Sequence, residues 1–356
     1  MAGREVCPRV IDTVRSLAKV GAPFGRSAFS NSLGRHLRFG VGRVVAGRLL
    51  SGLLVLIGVS LITFAVFNVL PGNAAQQLLG ADATNEQVAR LERELELHRP
   101  AWERYFDWTR RALAGDLGRS FASRQPVTTL LAPRVSATLE LVAYALVLAI
   151  GFAVPMALLA AYEPNGLADR LGAVVSTVAL SAPNYVLALL LVLVFAVKLR
   201  LFPSIGFVPL DERIGGNIQS LTLPAIALGV PLFGLYCRFL RSDLLEQMRS
   251  EAYIVTAAAK GIGRWRILVR HALPNSLFGF LTIVGLHIGT LIGGAVIIEE
   301  IFAIPGVGKL LLQAVQIRDV PVVEGVVLFL STAAVTASLV VDLLYLLLDP
   351  RVRYGG

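Results

Sequence analysis

At 356 residues, 55% of them hydrophobic and only 16% charged, the chain is too apolar and too sparsely charged for an ordinary soluble domain, and the bilayer is its expected solvent. Lys and Arg outnumber Asp and Glu by 33 to 24, a net charge of +9, which fits nucleic acid, anionic lipid or membrane topology until the charges are placed. Cys7 and Cys237 stand far apart and predict no disulfide, and His36, His98, His271 and His287 are isolated, so no metal site is assigned.

Residues 1–43 carry Arg4, Arg9, Arg15, Lys19, Arg26, Arg35, Arg38 and Arg43 against Glu5 and Asp12, a basic tail that the positive-inside rule places in the cytoplasm. The stretch from Leu49 to Leu70 is free of charge and stops at Pro71-Gly72, so a first membrane span is expected over about 46–70. It is too long and begins too late for a signal peptide.

Residues 71–134 are too long for a turn and read as an external helical subdomain. Thr84 with Gln87 resembles a capping box, and Val88, Leu91 and Leu95 follow at helical spacing. This segment is either a solvated helix packed on the membrane domain or a docking platform for an external partner.

Further spans are expected over 136–161, 171–197, 220–240, 276–298 and 322–348, giving six in all with both termini cytoplasmic. That topology requires a basic loop between the fourth and fifth spans. The sequence supplies one: Arg238, Arg241, Arg249, Lys260, Arg264, Arg266 and Arg270 oppose Asp243, Glu246 and Glu251, and Arg351 and Arg353 follow in the tail. The basic balance therefore reads as topology, and nucleic-acid binding is not expected. Glu140, Glu299, Glu324 and Asp342 fall near span ends, where water or headgroups are expected to solvate them.

Within the cytoplasmic loop 242–274, Gly261 and Gly263 interrupt a helix-forming composition, which predicts two short helices with a bend. Ala257, Ala258 and Ala259 offer a small-residue face framed by Lys260 and Arg264, suited to insertion into a partner's groove. The external run Ala303-Ile-Pro-Gly-Val-Gly-Lys309-Leu310 imitates a phosphate-binding loop, but Ala303 replaces its first Gly and Leu310 its Ser/Thr. ATP is expected on another chain.

From Gly261, nine residues lead to His271-Ala-Leu273-Pro274, a spacing that resembles the "EAA" coupling loop of bacterial ABC importer permeases. Val255 stands at the motif's Glu, Thr256 at its first Ala and His271 at its Ile, while Thr256-Ala257-Ala258-Ala259-Lys260-Gly261 fits the variant of the peptide permeases. Leu70-Pro71-Gly72, Arg99-Pro100, Gly115-Asp116-Leu117-Gly118-Arg119-Ser120, residues 137–141, 302–308 and 349–354 extend the resemblance over about 44–354.

The chain thus resembles a permease subunit of the dipeptide/oligopeptide (peptide/nickel) importer family. The resemblance implies an all-α integral membrane protein with the type I importer fold, divided into the tail 1–43, a first span 44–70, the external subdomain 71–134 and a five-helix core 135–354 with the coupling loop 242–274. It implies that Thr256, Ala257, Ala258, Ala259, Lys260, Gly261, Ile262, Gly263, Arg264, His271, Leu273 and Pro274 couple to ATPase subunits, and makes Gly115, Asp116, Leu117 and Gly118 docking candidates. The implied partners are a second, homologous permease subunit, two ATPase subunits that hold ATP and Mg, an external solute-binding protein and membrane lipid. This chain is expected to bind no cofactor and to catalyse nothing. Relatives carry dipeptides, longer peptides, nickel chelates, glutathione or haem. A self-contained secondary transporter of small solutes is the alternative; it would need paired inverted repeats, broken spans and a midplane carboxylate, and no convincing pair is found.

Overall fold

A computed structural model describes residues 29–69, 76, 79, 83–94, 96 and 98–348. Residues 1–28 of the basic tail, Pro71-Gly72 and the closing block 349–354 lie outside the described residues. The regular structure among the described residues is helical, with one isolated β-bridge between Arg119 and Pro126.

Helix α1 (Phe29–Val69) begins inside the expected tail and runs straight into the first span. Two short helices follow, α2 (Asn85–Glu94) and α3 (Ala101–Leu113). The capping box ahead of α2 is formed: the Thr84 N–H donates to Gln87 Oε1 at 2.9 Å, and the Gln87 N–H to Thr84 Oγ1 at 3.4 Å. Arg99 gathers Glu96, Asp107 and Glu103 around its guanidinium at 2.9, 2.8 and 3.3 Å, and these carboxylates, Glu96 foremost, raise it above its ordinary range.

The bundle proper is built from α4 (Val127–Tyr162), α5 (Leu167–Ser181), α6 (Asn184–Leu191), α7 (Ile214–Ser250), α10 (Leu273–Ile301) and α12 (Val320–Leu348). Among the described residues, five stretches are long and apolar enough to cross a membrane: Val45–Phe67, Val127–Tyr162, Ile214–Ser250, Arg264–Ile301 and Val320–Leu343. The third expected span, 171–197, is not one rod. It breaks between α5 and α6, whose axes meet at 101°, and α6 passes into a π-helical turn over Val192–Lys198. Proline causes the break: Pro183 has no N–H to continue the ladder, and it forces Ala182 out of the helical region to ψ 120°.

With no hydrophobic effect between helices in lipid, close backbone packing must hold them together. Ala145, Ala149, Ala153, Ala157 and Ala161, all buried, recur every four residues along α4, which packs most extensively on α7. Gly229 on α7 sits so near that a Cβ there would lie 2.9 Å from the Ala145 carbonyl oxygen. Pro133 and Pro155 in α4 and Pro224 and Pro231 in α7 are accommodated inside helices, as membrane bundles permit where neighbours satisfy the freed carbonyls.

Ionic contacts pin the end of the bundle that carries the segment between α7 and α10. Asp169, buried at the start of α5, accepts a two-pronged contact from Arg241 of α7, in which Nη2 lies 2.7 Å from Oδ2, and the Asn165 N–H donates to the same carboxylate at 2.8 Å. Arg48 of α1 pairs with Asp342 of α12 at 3.2 Å. Arg241→Met should strip Asp169 of its charged partner and destabilise the protein by about 3 kcal/mol. Thermal melting in mild detergent reads this, and the double variant with Asp169→Asn should recover most of the loss.

Candidate functional site

The expected loop 242–274 starts inside a helix, because α7 continues unbroken to Ser250. The two short helices predicted beyond it are present as α8 (Ala252–Ala259) and α9 (Arg264–Ile267), the second passing through a π turn (Leu268–Ala272) into α10. Between them Gly261 adopts φ +76°, a left-handed conformation that favours glycine, and the Gly261 and Ile262 N–H groups close back on the carbonyls of Ala258 and Ala257. Gly263, at φ −63°, serves as the N-cap of α9.

The three alanines do not share one surface. Ala257 is buried with Ile254 against the main core, whereas Thr256, Ala258, Ala259 and Lys260 are exposed beside Val255. Arg264 and Pro274 are exposed, His271 is half-buried, and Ile262 and Leu273 pack onto the core. Tyr253, which no sequence motif marks, ties the loop to two spans. Its hydroxyl donates to Gln247 Oε1 of α7 at 2.7 Å and accepts from Asn275 Nδ2 of α10 at 2.8 Å. At the same end, Trp265 packs edge-on against Tyr162, the last residue of α4.

The opposite end buries three carboxylates, Glu299, Asp319 and Glu324. Glu299 and Glu324 were expected in water or headgroups, but both are buried. Protein covers their span ends: α11 (Val307–Gln316) lies across the end of α10, and the start of α12 is packed against it. The Glu299 carboxylate accepts the Thr138 hydroxyl at 2.7 Å and the Lys309 N–H at 2.9 Å, and it also receives the Gly308 N–H. Thr138 in turn accepts the Val307 N–H at 2.9 Å, while Arg134 adds an opposite charge nearby.

Glu299 therefore caps α11 from another helix, answering N–H groups that a helix start leaves without partners and meeting its positive end. The run that imitates a phosphate-binding loop does wrap an anion, but the anion is this chain's own side chain. Gly306 is required here, since a Cβ would lie 2.2 Å from the Glu299 carboxyl carbon. Ala303, at the position of the motif's first Gly, is held left-handed at φ +56°.

Asp319, which no sequence motif marks either, does the same for the loop carrying the docking candidates. Its carboxylate accepts the Ser120 hydroxyl and the Phe121 N–H, the latter at 2.9 Å. Gly118 takes φ +89° and its carbonyl accepts the Val127 N–H, Leu117 packs into the apolar cluster under α11, and Gly115 and Asp116 remain exposed. Of the other acids, Glu140 is half-buried and accepts Asn217 Nδ2 at 2.6 Å. Among the described residues no His, Cys, Asp and Glu cluster has the makings of a metal site.

Glu299→Ala should leave the Thr138 hydroxyl and the N–H groups of Gly308 and Lys309 without their acceptor, at a cost on the order of 3 kcal/mol. Gly306→Ala should produce a loss of the same kind by forcing the carboxylate out. Detergent-solubilised melting curves of the two variants would check this, and a wild-type curve for either would remove Glu299 from its capping role.

Residues 153–354 match the family described as the binding-protein-dependent transport system inner membrane component, and residues 41–142 match that family's N-terminal region. The chain is 36% identical to a dipeptide transport system permease protein of Alkalihalophilus pseudofirmus, over 86% of this chain and 98% of the relative. It is 38% identical to a putative peptide transport system permease protein of Brucella abortus, over 87% and 99%. With the dipeptide transport system permease protein of Escherichia coli K12 it shares 35% identity, over 84% and 95%. These matches take in both the broken third span and the loop between α7 and α10, and they favour a permease subunit over a self-contained secondary transporter. The chain belongs to the inner-membrane permeases of binding-protein-dependent transport systems, as a multi-pass membrane subunit of an ABC importer.

Proposed function

We propose that this subunit forms half of the translocation path for di- or oligopeptides and converts movement of partner ATPases into movement of its spans through α8. The names of the relatives support the cargo: dipeptide or peptide transport in each of the three compared. The observation that carries the mechanism is the Tyr253 bridge. Val255, Thr256, Ala258, Ala259 and Lys260 present a low, exposed ridge for a partner's groove, while Ile254, Ala257 and the Tyr253 hydroxyl fasten the other side of α8 to α7 and α10. A push on α8 is thereby delivered to two spans at once. Rigid helices joined by packed side chains transmit such displacement as rocking of one bundle half against another.

In this reading the loop 242–274 and both termini face the cytoplasm, as its basic residues favour. Two ATPase subunits holding ATP and Mg engage Thr256 to Arg264 with His271, Leu273 and Pro274 at the rim, and this chain performs no hydrolysis itself. A second permease completes the path. A solute-binding protein delivers cargo at the opposite end, where Gly115 and Asp116 are exposed while Leu117 and Gly118 fix the loop's shape.

Affinity capture from the native membrane in mild detergent, followed by mass spectrometry, should recover a second permease and ATPase subunits; repeated recovery of a lone, transport-competent chain would defeat the proposal. Ala258→Arg places a long cation on the ridge and should uncouple ATP hydrolysis from uptake or weaken assembly while membrane insertion stays intact. Tyr253→Phe keeps the ring and removes the bridge, so it should lower uptake per ATP hydrolysed without releasing the ATPases. Normal coupling in both variants would remove α8 from the transmission path.

A further inference from the structure

Helix α3 divides into three stripes. Tyr105, Trp108 and Ala112 face inward, with Trp108 buried, and Tyr105 packs on Phe64 of α1 with ring centroids 5.2 Å apart. Glu103, Asp107, Arg110 and Arg111 form a charged stripe on the far side. Between the two lie Trp102, Phe106 and Leu113, spaced at i, i+4 and i+11, which are 64%, 66% and 86% exposed. Large aromatic and aliphatic groups so exposed on one stripe need a cover.

The depth of α3 identifies the cover. The Tyr105 hydroxyl hydrogen-bonds the Ser60 hydroxyl at 2.8 Å, and Ser60 lies well inside the apolar span Val45–Phe67, about 10 Å below its end at 1.5 Å per residue. With its tyrosine reaching down that far, α3 rides at the edge of the span rather than above it. Leu61, Ile62 and Val66 of α1 are likewise exposed along the same end of the span. The charges agree: Arg99 already answers Glu103 and Asp107, which leaves the positive charges of Arg110 and Arg111 to face anionic headgroups.

We propose that α3 is an interfacial anchor, lying in the headgroup layer of the lipid with Trp102, Phe106 and Leu113 turned to the acyl boundary and Arg110 and Arg111 to lipid phosphate. An amphipathic helix in this position sinks its apolar face about 5–10 Å, and tryptophan favours that zone. The anchor fixes the height of the first span, and with it the external loop that Asp319 holds. The docking role considered for this subdomain then belongs to that loop and not to the α3 stripe.

The test is site-directed spin labelling of the complete chain, with Cys7→Ser to remove the one cysteine outside the buried Cys237. Phe106→Cys, Leu113→Cys and, on the charged stripe, Arg111→Cys are labelled separately. Each is reconstituted with its co-purifying subunits in nanodiscs of phosphatidylethanolamine and phosphatidylglycerol. Collision with oxygen, which concentrates in lipid, should exceed collision with a water-soluble nickel chelate at Phe106 and Leu113, and the order should reverse at Arg111. Nickel exceeding oxygen at Phe106 and Leu113 would put the stripe in water and overturn the proposal. Exclusion of both quenchers would show that a protein subunit covers it, with the same consequence. Leu113, at the helix end, reports independently if labelling at Phe106 disturbs the fold.

Discussion

Gly229 approaches the backbone of α4 so closely that no side chain fits between it and the carbonyl of Ala145, and the rest of the bundle is arranged around that contact. Inside a bilayer, burying leucine against leucine gains little over leucine against lipid, so helices hold together where small residues let backbones meet. Ala145 and Gly229 make such a contact between α4 and α7, the most extensively packed pair of helices. Because α7 runs on without a break to Ser250, the contact also fixes where α8 projects. The exposed face of α8 is positioned by packing several turns away from it.

Three of the buried carboxylates are answered by hydrogen-bond partners. Glu299 is held by Thr138 and the start of α11, Asp319 by Ser120 and the Phe121 N–H, Asp169 by Arg241 and the Asn165 N–H. Two of these carboxylates, Glu299 and Asp319, organise the end that bears α11. Asp169, with Tyr253, braces the end that bears α8. Buried polar groups in a low-dielectric interior are costly unless satisfied and stiffening when they are. Both ends of the bundle are stiffened in this way, and the Pro183 break is the one sharp bend among the described spans.

The sequence by itself determined the membrane class, the approximate places of the spans, the capping box of α2 and the two short helices between α7 and α10, because hydropathy, charge asymmetry and glycine breaks are local signals. Tertiary structure alone decided the rest. Glu299 and Glu324 look like acids at span ends until α11 and the start of α12 are folded over them, and Asp319 is one acid among many until Ser120, distant in sequence, closes on it. Ala257 and Ala258 are neighbours with identical side chains, yet one faces the core and the other solvent, since a helix turns successive residues about 100° apart and only packing says which side is inside. Burial and partnership are properties of segments brought together from far along the chain, so no local pattern encodes them.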